Sequence, residues 1–197
     1  MSDRLNHLNS LMYHDPAVIL RRIRLLEREL VELQNTGVEI DPKVLSMRTN
    51  ALRPYREWRD AAVFAFGMGI AKGVPIWYAT EESSDYDFVT MWQQETTRHF
   101  CPVQLKELVP EALNPNLSLQ RLLDGLGKYA PSPDTVVAVK INRLSGFALE
   151  SAPAVPFSQL WFFWACAPES ARWCLRGPFG DGHPPDPGVL TFDYPSA

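Results

Sequence analysis

The sequence has little cysteine: three residues among 197, Cys101, Cys166 and Cys174. An odd and scattered set is no disulfide framework, so stability must come from a packed core, and a chain of this length can bury one. Histidine is nearly as scarce, at four. His99 and Cys101 sit two positions apart, while Cys166, Cys174 and His183 come later, without the close pair spacing of a structural zinc knuckle. Nothing local activates a thiol as a nucleophile, and Cys166, in "WFFWACA", reads as a small buried hydrophobe. No apolar run approaches the roughly 18 residues of a membrane span; "AAVFAFGMGIA" is too short. The opening "MSDRLNHLNSLMYHD" lacks the basic-then-apolar pattern of a secretion signal, so the expected location is cytoplasmic. Positive charge is not in excess either. Nineteen Lys and Arg against 23 Asp and Glu give a net charge of −4. That balance excludes a protein that coats nucleic acid through bulk charge, but not an enzyme that gathers acids for a metal and concentrates its bases locally.

What is present is an ordinary globular composition, 46% hydrophobic and 21% charged, organised as three regions. Residues 1–50 form an N-terminal helical extension. Asp15-Pro16 is a helix start, with an N-cap acid and proline at the first helical position, and Gly37 stops the helix. Ile19, Ile23, Leu26, Leu30 and Leu33 make a heptad seam that Met12 extends backwards. The seam packs on its own domain or serves a homodimer. Asp41-Pro42 caps a second short helix reaching about Asn50.

Residues 51–177 form an α/β core. Arg53-Pro54 opens a helix whose stripes Glu57, Ala61, Phe64, Met68 and Trp58, Ala62, Ala65, Gly69 make it central and largely buried. "VPIWYAT", "DFVTMW" and "HFCPVQLKEL" read as three meander strands, with "QQETTR" as a turn. "NPNLSLQRLLDGLGKYA" is a helix. "DTVVAVKIN" is a fourth strand, reached by a helical crossover and therefore parallel to its neighbour. "FALE" and "QLWFFWACA" follow, then "ARWCLRG". The continuous aromatics Trp161 to Trp164 require cover on both sheet faces. Residues 178–197, with "PFGDGHPPDPG", read as a Pro/Gly-rich tail.

The chemistry lies in one pair of strands. Side chains two apart on a strand share a face, so Gln104 and Lys106 project together while Val103 and Leu105 enter the core. Asp87 begins the preceding strand and comes near Gln104 across a hairpin. A hard cation such as Mg²⁺ or Mn²⁺ needs oxygen ligands, usually one or two carboxylates with water and substrate phosphate. A neighbouring lysine stabilises developing charge. The bland alternatives are a turn role for Asp87, a cross-strand pair of Lys106 with Asp87, and a pair of Glu57 with Arg53 or Arg56.

The run "DYDFVTMW … CPVQLKEL" resembles the PD-(D/E)XK nuclease superfamily, over roughly residues 53–143. The resemblance implies a restriction-endonuclease-like fold: a mixed sheet flanked by helices, here with the N-terminal helical extension. It implies hydrolysis of phosphodiester bonds in nucleic acid, DNA first, with Mg²⁺ or Mn²⁺. Asp87 matches the metal-binding aspartate, Gln104 takes the acidic position of the triplet, and Lys106 matches its lysine. Glu57 matches an additional glutamate ligand or base, and the Leu105 carbonyl assists as a ligand. Tyr86 stands in the place of the proline. Gln104 offers a carbonyl oxygen but no charge, so another acid must compensate; Glu82 and Asp85 are candidates. Arg98, Arg121 and Lys128 are the candidate nucleic-acid contacts. The other function class is a non-catalytic interaction protein that keeps the fold, has a degraded site and binds a protein partner.

Overall fold

The computed structural model describes residues 2–81, 86–126, 132–143, 157–167, 172–180, 182–183 and 187–196. Glu82, Asp85, Lys128 and the "FALE" segment fall outside them. The chain is an α/β protein built on a seven-stranded mixed sheet whose strands lie side by side in sequence order. Three strands form the first meander: β1 (Ile76–Thr80), β2 (Phe88–Gln94) and β3 (Thr97–Leu108). A crossover carrying α5 (Leu119–Leu126) leads to β4 (Ser132–Ile141), parallel to β3 as the helical connection requires. β5 (Phe157–Ala167) is parallel to β4. β6 (Arg172–Phe179) and β7 (Val189–Asp193) then return antiparallel.

The sheet has a core on each face. Val136, Ala138, Trp161 and Phe163 face one way and Val137, Val139, Leu160 and Phe162 the other. The valine and aromatic runs are therefore continuous because both faces are covered. The first face is covered by α4 (Arg53–Lys72), in which Ala61, Ala62, Phe64, Ala65 and Met68 are buried. Its small residues let the helix approach the sheet closely. Gly73, at φ +66°, ends it in the left-handed conformation that glycine adopts without cost. The second face is covered by α5 through Leu123 and Leu126.

Ahead of the sheet lie α1 (Ser2–Ser10), α2 (Pro16–Asn35) and α3 (Pro42–Leu45). Asp15 caps α2 by accepting a 2.8 Å hydrogen bond from the Ala17 amide, with Pro16 at the first position. The heptad seam divides. Ile19 and Ile23 are buried and Leu26 packs beside them in the core under α4, whereas Leu33 and Met12 are exposed. The buried half is therefore used within the chain, the first of the two uses the seam allows. α3 stops well before Asn50, where the helix capped by Asp41-Pro42 was expected to end, and Met47 turns to φ +53° and is completely buried.

The tail is the other correction. Phe179 closes β6 and Val189–Asp193 forms β7, whose Phe192 is buried against α4. The alternating "VLTFD" is a half-buried edge strand that the preceding prolines conceal. No helix among the described residues is long and apolar enough to cross a membrane.

Candidate functional site

β3 has different neighbours along its length. Its first part, to Val103, pairs with β2; from Val103 to Leu108 it pairs with β4. Beyond Val103 its β2-side edge is therefore uncovered, and the backbone groups there need other partners. Asp87, immediately before β2, supplies one. Its amide donates to the Val103 carbonyl at 2.9 Å, and its carboxylate accepts the Leu105 amide at 2.6 Å. The Gln104 amide nitrogen donates to the same carboxylate oxygen. Tyr86, directly before Asp87, is buried with Leu8 and Val89.

The fork opens into a cleft of about 470 Å³, lined by Glu57, Asp87, Leu105, Lys106, Arg53 and Arg56 among others. Four of the expected residues thus come together: Asp87, Lys106, Leu105 and Glu57. Period-2 alternation carries Val103 and Leu105 into the core beneath α4. At the fork both faces of β3 reach the cleft, because no β2 residue stands beside it. Gln104 is different. It is 7% exposed and does not line the cleft. It turns its NH₂ toward Asp87 and so positions the carboxylate.

Burial raises the Asp87 carboxyl above its ordinary range. The Leu105 amide, the Lys106 charge and the Gln104 hydrogen bond pull it back, while the Glu57 carboxylate adds to the rise. Glu57 projects from the first turns of α4 and accepts from Arg53 Nε at 2.6 Å, four residues away. Both side chains are about half exposed, so this pair is weak and open to exchange for another cation.

Three acids at the cleft were not expected from the sequence. Glu81 receives His7 Nε2 at 2.6 Å. Asp60 is buried, with Lys140 Nζ at 2.8 and 2.9 Å. Glu107 holds Arg48 at 2.8 Å and Asn142 at 2.9 Å. Asp60 has a local partner in Arg59, at 3.4 Å, but Lys140 stands 80 positions away and only the α4–β4 packing joins the two. Lys140, 4% exposed, is thereby removed from any surface role.

The basic residues are redistributed. Arg98 is exposed where β3 begins, opposite Gln93. Arg121 lies on α5 and donates to the Asn116 carbonyl at 2.8 Å. Neither lines the cleft, and Arg53 and Arg56 take their place at its rim. Their proximity was obscured in sequence because they read as partners of Glu57.

The donor set at the fork is all oxygen: the Asp87 and Glu57 carboxylates and the Leu105 carbonyl, which lies on the same strand edge as its amide. Among the described residues no three His, Cys, Asp or Glu gather as a metal cluster. Two carboxylates with a carbonyl suit a hard divalent cation that keeps several waters. Soft ligation is poorly served, since burial pushes the Cys101 thiol up to about 11 and His99 stacks on Trp92. No protein-family model, curated protein or solved structure matches this chain significantly.

Proposed function

We propose that the chain is a metal-dependent nuclease of the PD-(D/E)XK type, with a restriction-endonuclease-like core, hydrolysing phosphodiester bonds in nucleic acid, DNA first. The observation that carries this reading is the meeting of Asp87, Glu57 and Lys106 in one open cleft where β2 leaves β3. Asp87 and Glu57 would hold Mg²⁺ or Mn²⁺, with the Leu105 carbonyl beside them. The ion, when bound, supplies polarisation of the phosphoryl group and a bound water of lowered pKa.

The chain's residues do the rest. Gln104 and the Leu105 amide fix the Asp87 carboxylate, leaving its second oxygen for the cleft. The Lys106 ammonium, close enough to Asp87 to influence its ionisation, stabilises the negative charge that builds on the attacked phosphate. Arg53 and Arg56 receive the flanking phosphates at the rim. Glu57, whose half-exposed carboxylate now pairs with Arg53, would be the second carboxylate for the cation.

The test is cleavage of supercoiled, linear and single-stranded DNA and of RNA with Mg²⁺ or Mn²⁺, with Lys106→Ala and Asp87→Asn run in parallel. Metal-dependent cutting that both substitutions abolish supports the reading and identifies the substrate. Equal cutting by all three proteins means a contaminant or another site. No cutting by folded wild-type protein overturns the reading and favours an interaction module, consistent with the uncharged Gln104 in the triplet.

A further inference from the structure

Arginine is concentrated on α2. Arg21, Arg22, Arg24 and Arg28 line a second cleft, of about 690 Å³, formed between α2 and the segment after β7. Val18 and Leu25 share this face, since positions 18, 21, 22, 25 and 28 follow helical spacing. Tyr194 makes the opposite wall. The Arg24 guanidinium lies 5.8 Å from its ring centroid, and the ring stacks on Trp173 at an interplanar angle of 9°. The one acid that lines the cleft, Asp193, is neutralised by Arg172 at 2.9 Å. Among the described residues, Arg21, Arg22 and Arg28 have no acidic partner. In a chain of net charge −4, these three guanidinium groups, with Arg24 beside them against Tyr194, form a marked local field.

We infer that this cleft binds the phosphate backbone of the nucleic-acid substrate, outside the catalytic cleft. The choice of nucleic acid over an acidic peptide rests on the nuclease reading above. The geometry suits it. Arg21 to Arg28 spans about 10 Å of helix, enough for two or three successive phosphates. Arginine presents a planar fork to phosphate, and Tyr194, stacked on Trp173, holds Arg24 at the wall of the cleft. The two clefts are also linked physically. Glu27, between Arg24 and Arg28 on α2, accepts Arg59 Nη1 at 3.0 Å, and Arg59 adjoins Asp60 at the catalytic cleft. A strand held on α2 is thus held by the helix that packs on α4, the helix carrying Glu57.

The experiment is fluorescence anisotropy of labelled single-stranded and duplex DNA with the full chain in EDTA, across a salt series. Wild type is compared with Arg21→Glu/Arg22→Glu/Arg28→Glu and with the corresponding triple lysine variant. The glutamate variant should bind at least tenfold more weakly, with the salt slope reduced by about 0.7–0.9 for each phosphate no longer neutralised. The lysine variant should keep most of the binding. Unfolding in urea checks that the variants are folded. Unchanged affinity and slope in the glutamate variant overturn the inference, as does a wild type that binds no DNA. Displacement of DNA by an equal charge of polyglutamate assigns the cleft to acidic polypeptides and overturns it too. DNA binding through these arginines without cleavage leaves the inference standing while the nuclease reading fails. Cleavage of long DNA with unchanged KM in the glutamate variant gives the reverse.

Discussion

The Lys140 ammonium lies 2.8 and 2.9 Å from the two carboxylate oxygens of Asp60, and both side chains are 5% exposed. Burial pushes the lysine below its ordinary range, Asp60 opposes this, and the Arg59 charge adds to the lowering. A buried pair is costly to break from one side, because the remaining charge has no solvent. Asp60→Ala should therefore destabilise the protein by about 3–5 kcal/mol in urea unfolding at neutral pH. Asp60→Ala with Lys140→Met should recover most of that loss, since the methionine fills the same space without charge. A double variant no more stable than the single one would mean that the cost lies in α4 packing.

Asp87 should show the opposite sign. Its carboxyl is raised chiefly by burial, so the folded state holds a proton more tightly than the unfolded state does. Such a group destabilises the fold once the pH exceeds its raised folded value, and the cost disappears below its ordinary unfolded value. Asp87→Asn removes the charge and keeps an oxygen for the Leu105 amide. The variant should be at least as stable as wild type at pH 7, with the advantage shrinking on acidification. It should also lose cleavage and Mn²⁺ binding measured by calorimetry. A variant markedly less stable than wild type at pH 7 would make Asp87 a structural cap.

This contrast explains what was legible in the sequence. Asp87, Gln104 and Lys106 could be placed because strand periodicity and a hairpin are local rules, and Val103 and Leu105 follow the same alternation. The central position of α4 followed from its two apolar stripes. The partners of Asp60 and Glu107 were not legible, since Lys140, Arg48 and Asn142 come from distant parts of the chain and meet only through packing. The β2-side edge of β3, which orients Asp87 toward Leu105, depends on where β2 ends. β7 was hidden by its prolines, and the heptad of α2 gave no sign of which half α4 would cover.

Glu107 supplies a prediction in acid. Burial opposes its ionisation, but the Asn142 hydrogen bond and the charges of Lys140 and Arg48 outweigh it, so its carboxyl is held below the ordinary range. Its contribution is complete above the unfolded value and is lost as the pH falls through the depressed folded value. Glu107→Gln should cost about 1–3 kcal/mol near neutral pH, as for hydrogen bonds to a charged group. Urea midpoints of the two proteins should converge below about pH 4. A constant gap between them down to pH 3 would assign the loss to shape and not to charge.

The docking of β7 can be tested by a change of sign. A Cβ at Gly67 would lie 2.8 Å from two ring atoms of Phe192, and the Leu175 side chain is 3.4 Å away. Phe192 is 6% exposed and packs beside Phe66, with ring centroids 5.9 Å apart, so it has little room to retreat. Gly67→Ala gains about 0.5–1 kcal/mol from helical preference in α4. Overpacking costs about 1–3 kcal/mol and should win, lowering stability. Phe192→Ala alone should cost about 3–5 kcal/mol by opening a cavity. In that background the added methyl enters vacated space, so Gly67→Ala should now stabilise. The double-mutant cycle in urea isolates this coupling. A Gly67→Ala effect of the same sign in both backgrounds would mean that Phe192 does not rest on α4, and that the strand after the prolines is held by its hydrogen bonds to β6 alone.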